Sequence, residues 1–87
     1  MIQTLVGTLT TSPVAVNDDE VVADLRVDDD GGPVALHVRA HGNIASMLLG
    51  YRAGRQLYVE GQSQPGGRFL ALFIRPARAT QLKRGAA

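Results

Sequence analysis

The sequence predicts an all-β fold, a barrel of five strands with one short helix between the third and fourth strands. Apolar and polar residues alternate along three segments, which is the period of a half-buried strand, and two further segments are rich in residues that favour strands. Clusters of Gly, Pro, Asp and Ser separate these segments. One segment after the third has helical spacing instead. We assign residues 1–82 of the 87 to a single domain and residues 83–87 to a short C-terminal tail.

The first three strands form a predicted meander. Residues 2–9 are rich in Thr, Val and Leu, with Gly7 as an expected bend or bulge. Residues 20–27 and 33–41 form the next two strands, joined by an Asp-Asp-Asp-Gly-Gly hairpin turn. Their alternation points these side chains inward: Val21, Ala23, Leu25, Val27, Val34, Leu36, Val38 and Ala40.

The rest of the barrel follows a short helix. Ile44, Met47 and Leu48 have helical spacing, Asn43 is the expected N-cap, and glycines follow the helix. Strands are then predicted over residues 56–62 and 69–75, separated by a Pro-Gly-Gly turn. In the last strand the expected inward residues are Leu70, Leu72 and Ile74, and the outward ones Ala71, Phe73 and Arg75. The order β-β-β-α-β-β is typical of the five-stranded Greek-key oligonucleotide-binding barrel, the OB-fold.

Charge is distributed unevenly along a chain of net charge +1. All acidic residues except Glu60 precede residue 31, and all basic residues except Arg26 lie at or after Arg39. A cationic binding surface and solvated turns explain this segregation equally well. The chain has no cysteine, which excludes disulfides and thiolate metal sites. It also lacks a signal-peptide pattern and a long apolar segment, so we expect a cytoplasmic protein with no membrane contact.

Four short motifs carry a resemblance to a known family. The sequence Val-Arg-Ala-His-Gly-Asn-Ile-Ala covers residues 38–45, Ala-Gly-Arg covers residues 53–55, and Leu-Tyr-Val-Glu-Gly-Gln covers residues 57–62. Val-Gly-Thr-Leu at residues 6–9 precedes Pro13. Together they resemble the bacterial single-stranded-DNA-binding proteins, a family that includes primosomal replication protein N. The resemblance implies an OB-fold that binds single-stranded DNA, or RNA, in replication, repair or transfer of DNA.

Two departures from the family bear on function. The chain has no tryptophan, and the third-strand positions where the family tends to present stacking aromatics hold Ala35 and His41. The family's acidic tail is replaced by Lys-Arg-Gly-Ala-Ala, so recruitment of partners through a tail is not expected. The missing tryptophan and the near-zero net charge favour an alternative function, an OB-fold module for protein–protein assembly with little or no nucleic-acid binding.

The predicted nucleic-acid interface combines cations for phosphates with flat side chains for bases. His37, Arg39 and His41 face outward on the third strand, where they either contact a nucleic-acid strand or form a solvated polar surface. Tyr58 and Phe73 are either stacking platforms or contacts with a second subunit. The remaining candidates are cations, each equally suited to a solvated position: Arg68, Arg75 and Arg78.

Catalysis and metal binding have little support in the sequence. His37 and His41 are four residues apart on a strand rather than a helix, and the aspartate turn lacks the ligand spacing of a calcium loop. Neither a nucleophile–base pair nor a phosphate-binding glycine loop can be assembled. We therefore predict a non-enzymatic protein with no cofactor and no metal. A domain this small gains stability from a partner subunit, so we expect a homo-oligomer, specifically a homodimer.

Overall fold

The fold is a single curved sheet that closes around one apolar core. We describe a computed structural model covering residues 2–29 and 31–77. Its elements are β1 (Gln3–Leu9), β2 (Val14–Ala15), β3 (Glu20–Asp29), β4 (Gly32–His41), α1 (Gly42–Leu49), β5 (Gln56–Gln64) and β6 (Arg68–Pro76). Residues 78–82 of the predicted domain and residues 83–87 of the predicted tail lie outside the described residues.

Five of these strands close the barrel. Their neighbour order is β1-β5-β6-β4-β3, and β1 pairs back onto β3. Neighbouring strands are antiparallel except β4 and β6, which are parallel. The short helix lies between the third and fourth barrel strands, so the predicted OB-fold architecture is confirmed. The two-residue β2, which the sequence did not predict, extends the sheet beyond β3.

The core confirms most of the inward residues predicted for the β3–β4 hairpin. Five of them are buried: Val21, Ala23, Leu25, Val38 and Ala40. Val27 is half-buried against the core. Val34 is exposed and Leu36 is only half-buried, because β6 pairs with β4 at residues 37–39 and the hairpin continues past it.

The inward residues predicted for the last strand are partly wrong. Phe69 and Ala71 are buried, whereas Leu70 is half-buried and Leu72 is exposed. The cause is a β-bulge: Glu60 of β5 pairs with Phe73 and Gly61 pairs with Ala71, so Leu72 has no partner in this register. The extra residue changes the phase of the alternation. Beyond the bulge, Ile74 is buried and Phe73 is exposed, as predicted.

Helix α1 begins two residues earlier than an N-cap at Asn43 predicts, so Asn43 is not its N-cap. The N-cap is His41, which makes no side-chain capping bond. The Gly42 N–H donates instead to Asp19, to the main-chain oxygen at 3.0 Å and to Oδ1 at 3.2 Å. Ala45 and Leu48 are buried against the barrel, whereas Met47, predicted to face inward, is exposed. Within the described residues, no helix is long and apolar enough to cross a membrane.

Gly7 does not form a bulge in β1. It stays in register with Leu57 of β5, next to the residues of β1 that also pair with β3. A Cβ at Gly7 would lie 2.7 Å from the main-chain oxygen of Arg26 and 2.9 Å from Leu25 Cγ. The glycine is therefore required for the close approach of β1 and β3 where the barrel closes.

Candidate nucleic-acid interface

The outward side of β4 presents three of the predicted residues, and an acidic residue lies beside each. His37 Nδ1 lies 2.9 Å from Asp24 Oδ1, and Arg39 Nε lies 2.5 Å from Glu20 Oε2. His41 Nδ1 lies 3.6 Å from Asp19 Oδ2. The acidic half of the sequence thus lies next to the first cations of the basic half, which reduces the positive potential of this surface.

The register of the β3–β4 hairpin explains this proximity. Asp24 is the cross-strand partner of His37, and Glu20 is the partner of His41 and a diagonal neighbour of Arg39. Opposite charges at such positions attract each other. These pairs could have been predicted from the sequence, because the alternation of both strands and the short turn between them set the cross-strand register.

Arg68 extends the same surface onto β6. It is the register partner of His37 in the parallel β4–β6 pair, and the next residues, Val38 and Phe69, are both buried. Arg68 therefore faces outward beside His37, at the β5–β6 hairpin. Among the described residues, no acidic side chain forms a salt bridge with Arg68. We call the surface formed by His37, Arg39, His41 and Arg68 the β4 face.

Three other predicted residues lie together beyond the bulge. The guanidinium carbon of Arg75 lies 4.3 Å from the ring centre of Tyr58, which is its cross-strand partner. The Tyr58 hydroxyl donates a 2.7 Å hydrogen bond to Glu60 Oε2, and Phe73 lies opposite Glu60. Val6 of β1 is exposed on the other side of Tyr58. We call the surface formed by Val6, Tyr58, Phe73 and Arg75 the β5–β6 face.

The predicted site residues therefore divide into two groups instead of forming one row. The bulge in β6 separates Arg68, on the β4 face, from Phe73 and Arg75, on the β5–β6 face. Arg78, also predicted, lies outside the described residues.

Two further exposed arginines were not among the residues predicted from the sequence to bind nucleic acid. Arg52 and Arg55 are exposed in the loop between α1 and β5, where residues 50–55 line an open groove. The Ala53-Gly54-Arg55 segment belongs to the motifs that carry the family resemblance, which was the available signal. No cluster of three potential metal-ligating side chains occurs in the part of the chain that the structure describes.

Comparison with known proteins establishes the fold independently. No family model and no curated protein matches the chain. Among solved structures, it is similar to a small single-stranded DNA-binding protein from Streptomyces coelicolor, with a TM-score of 0.79, 23% identity, and coverage of 91% of this chain and 94% of that one. The SSB domain of a Synechococcus sp. protein has a TM-score of 0.67 and 21% identity, covering 85% and 92%.

A third solved structure is a deletion mutant of the single-stranded DNA binding protein from Thermus aquaticus. Its TM-score is 0.59 at 24% identity, and the match covers 90% of this chain and 50% of that one. These similarities confirm the OB-fold that the sequence predicted, with the barrel architecture of single-stranded DNA-binding proteins.

Proposed function

We propose that this protein binds single-stranded DNA, without catalysis, through its β4 face. One observation carries the proposal. His37 and Arg39 lie on the outer side of β4, the third barrel strand, which pairs with the second, and Arg68 lies at the hairpin between the fourth and fifth. This face and this loop are where OB-folds bind oligonucleotides. The solved structures with the same barrel are named as single-stranded DNA-binding proteins, which supports the proposal.

The chemistry of the β4 face suits a weak and salt-sensitive contact with the strand. A guanidinium has five N–H donors, and Glu20 contacts Arg39 at Nε, so the other donors of Arg39 can meet a phosphate. Imidazole and guanidinium planes can also stack on bases. The carboxylates of Glu20 and Asp24 repel the phosphates and reduce the net attraction. We also propose that this binding serves the replication, repair or transfer of DNA in the cytoplasm.

Fluorescence anisotropy with labelled oligo-dT at several salt concentrations tests the proposal. Binding that engages two to four of the basic side chains of the β4 face should give a slope of log affinity against log salt of about −1.4 to −2.8, at ~0.7 per phosphate. Oligo-rU measures the preference between DNA and RNA, and a duplex of the same length is the control for general attraction to polyanions. Absence of binding to oligo-dT at low salt would overturn the proposal.

A second function, assembly with another copy of the chain, is favoured by a different surface. The segment Gln3–Gly7 of β1 pairs with β5, and within the described residues its other edge has no strand partner. Val6 is exposed on β1 itself, and Leu72 and Phe73 are exposed on β6, which β5 separates from β1. A second copy could cover both the unpaired backbone groups and the apolar side chains. We therefore propose a homodimer formed through β1 and the β5–β6 face.

A further inference from the structure

The loop between α1 and β5 contains cations that acidic residues do not neutralise. Residues 50–55 line an open groove, and the exposed Arg52 and Arg55 are two of the lining side chains. Within residues 2–29 and 31–77, neither arginine forms a salt bridge with an acidic residue. This differs from the β4 face, where His37, Arg39 and His41 each have a carboxylate nearby. The groove is therefore better suited to hold an added anion.

Main-chain hydrogen bonds hold the backbone of both arginines in place. The Arg55 N–H donates to the Arg52 carbonyl at 3.1 Å, closing a turn. The end of β1 anchors this turn, because Leu9 N–H donates to the Arg55 carbonyl at 2.9 Å and Gly54 N–H donates to the Leu9 carbonyl at 2.7 Å. Tyr51, half-buried against the core, forms another part of the groove. A loop positioned in this way loses less conformational freedom when a ligand binds.

A short chain of contacts connects the groove with the β4 face. Leu9 is bonded to the loop, and the next residue, Thr10, donates its N–H to the Asp24 carbonyl at 3.0 Å. The Asp24 carboxylate in turn contacts His37, 2.9 Å away. The groove, the end of β1, β3 and the β4 face therefore adjoin in that order around the barrel.

We propose that Arg52 and Arg55 form a second anion site, which takes a phosphate of the nucleic-acid strand after the strand leaves the β4 face. The inference rests on the proposed function and extends the path of the strand around the end of β1. Planar guanidinium groups bind phosphate through paired hydrogen bonds, which matches the chemical class of the ligand. A phosphodiester within the strand and a phosphate at its end share this chemistry.

The length dependence of binding tests the second site. OB-folds occupy roughly 4–16 nucleotides, so labelled oligo-dT of about 5 and about 15 nucleotides separate the β4 face from the extended path. For the full chain with Arg52→Ala and Arg55→Ala, we expect unchanged affinity for the short strand and at least roughly tenfold weaker binding of the long one. The salt slope for the long strand should lose about 0.7, the contribution of one phosphate.

Matched variants separate a phosphate site from a general effect of charge. Arg52→Lys with Arg55→Lys retains both charges and should recover most of the salt slope. Arg26→Ala removes a charge from an exposed position outside the β4 face, the β5–β6 face and the groove, and should leave the ratio of long-strand to short-strand affinity unchanged. If 5′-phosphorylation of the short strand raises its affinity and the double alanine variant loses this gain, the site takes the phosphate at a strand end.

Two results overturn the inference in distinguishable ways. If the unaltered chain binds both lengths and the double alanine variant binds the long strand equally well, the second site does not exist although the proposed function stands. If the unaltered chain binds neither length at low salt, the proposed function fails and the second site fails with it. Equal thermal melting of the variant and the unaltered chain establishes that a loss of long-strand binding does not come from unfolding.

Discussion

At the scale of single residues, the proposed role of Arg39 requires it to divide its donors between the Glu20 carboxylate and a phosphate. The Glu20 side chain that contacts Arg39 is only 16% exposed, and the Arg39 side chain is 38% exposed. Arg39 therefore both compensates a partly buried carboxylate and presents a cation to solvent. Stability and binding must be measured together to separate these two effects.

Replacing Arg39 with alanine should weaken binding of oligo-dT by about 1–2 kcal/mol, the contribution of one stacked or charge-paired contact. The free energy of unfolding should fall by no more than about 1 kcal/mol, because the pair with Glu20 is partly solvated. Anisotropy and urea denaturation measure the two quantities. If the variant keeps its affinity for oligo-dT but changes its oligomeric state, the β4 face mediates assembly instead of strand binding.

Asp24→Asn tests whether the acidic residues limit strand binding. The substitution keeps the shape of the side chain beside His37 but removes a negative charge. Affinity for oligo-dT should rise about twofold, since one charge several ångströms from a phosphate in water contributes ~0.5 kcal/mol. Asp28→Asn is the matched control, because Asp28 is exposed on the same strand but pairs with Pro33, away from the β4 face. An equal rise in both variants would indicate an effect of net charge alone.

At the scale of elements, the β5–β6 pair depends on the bulge in β6 and on Gly61, the small residue of β5 beside this bulge. A Cβ at Gly61 would lie 1.9 Å from the Leu70 main-chain oxygen and 2.8 Å from Phe69 Cε2. The oxygen belongs to the paired backbone of β6, so it cannot move away without disturbing the ladder. Gly61 thus permits the close approach that buries Phe69 in the core.

Gly61→Ala should therefore lower the free energy of unfolding by about 3 kcal/mol, at the upper end of the cost of overpacking. The midpoint of urea denaturation measures the change. Gly31→Ala is the matched control, because nothing lies within 4 Å of a Cβ at Gly31. If the two variants unfold at the same urea concentration, β5 and β6 do not approach each other closely at Gly61.

At the scale of the whole molecule, the surfaces proposed for strand binding and for self-association are different parts of the barrel. The β4 face lies on one side of the bulge in β6, and the β5–β6 face lies on the other. A variant of one face should therefore leave the activity of the other largely intact, because distant sites without shared partners act independently.

Val6→Glu should dissociate the proposed homodimer, because the new charge would be buried against the second copy. Val34→Glu is the matched control, since Val6 and Val34 are both 40% exposed and both lie on strands. Sedimentation equilibrium should give a dimer for the unaltered chain and the control, and a monomer for Val6→Glu. Short oligo-dT should bind the Val6 variant as before. A monomeric unaltered chain at high micromolar concentration would exclude the dimer.

The sequence by itself determined the five barrel strands, the position of the helix and most inward residues of the β3–β4 hairpin. These features depend on neighbours in the chain: the alternation of a strand is visible within a few residues, and a short turn sets the register of the strands that it joins. The outward position of His37, Arg39 and His41 followed from the same alternation.

The tertiary structure alone decided which side of the last strand is buried, which predicted residues lie together, and that the loop carrying Arg55 is bonded to the end of β1. The phase of β6 changes at Leu72 because β5 pairs on both sides of that residue and skips it, and nothing within β6 itself encodes the skip. Likewise, Arg55 meets Leu9 through closure of the barrel, although the two lie far apart in the chain. Such contacts depend on how distant segments pair, and local hydrophobic periodicity carries no information about that pairing.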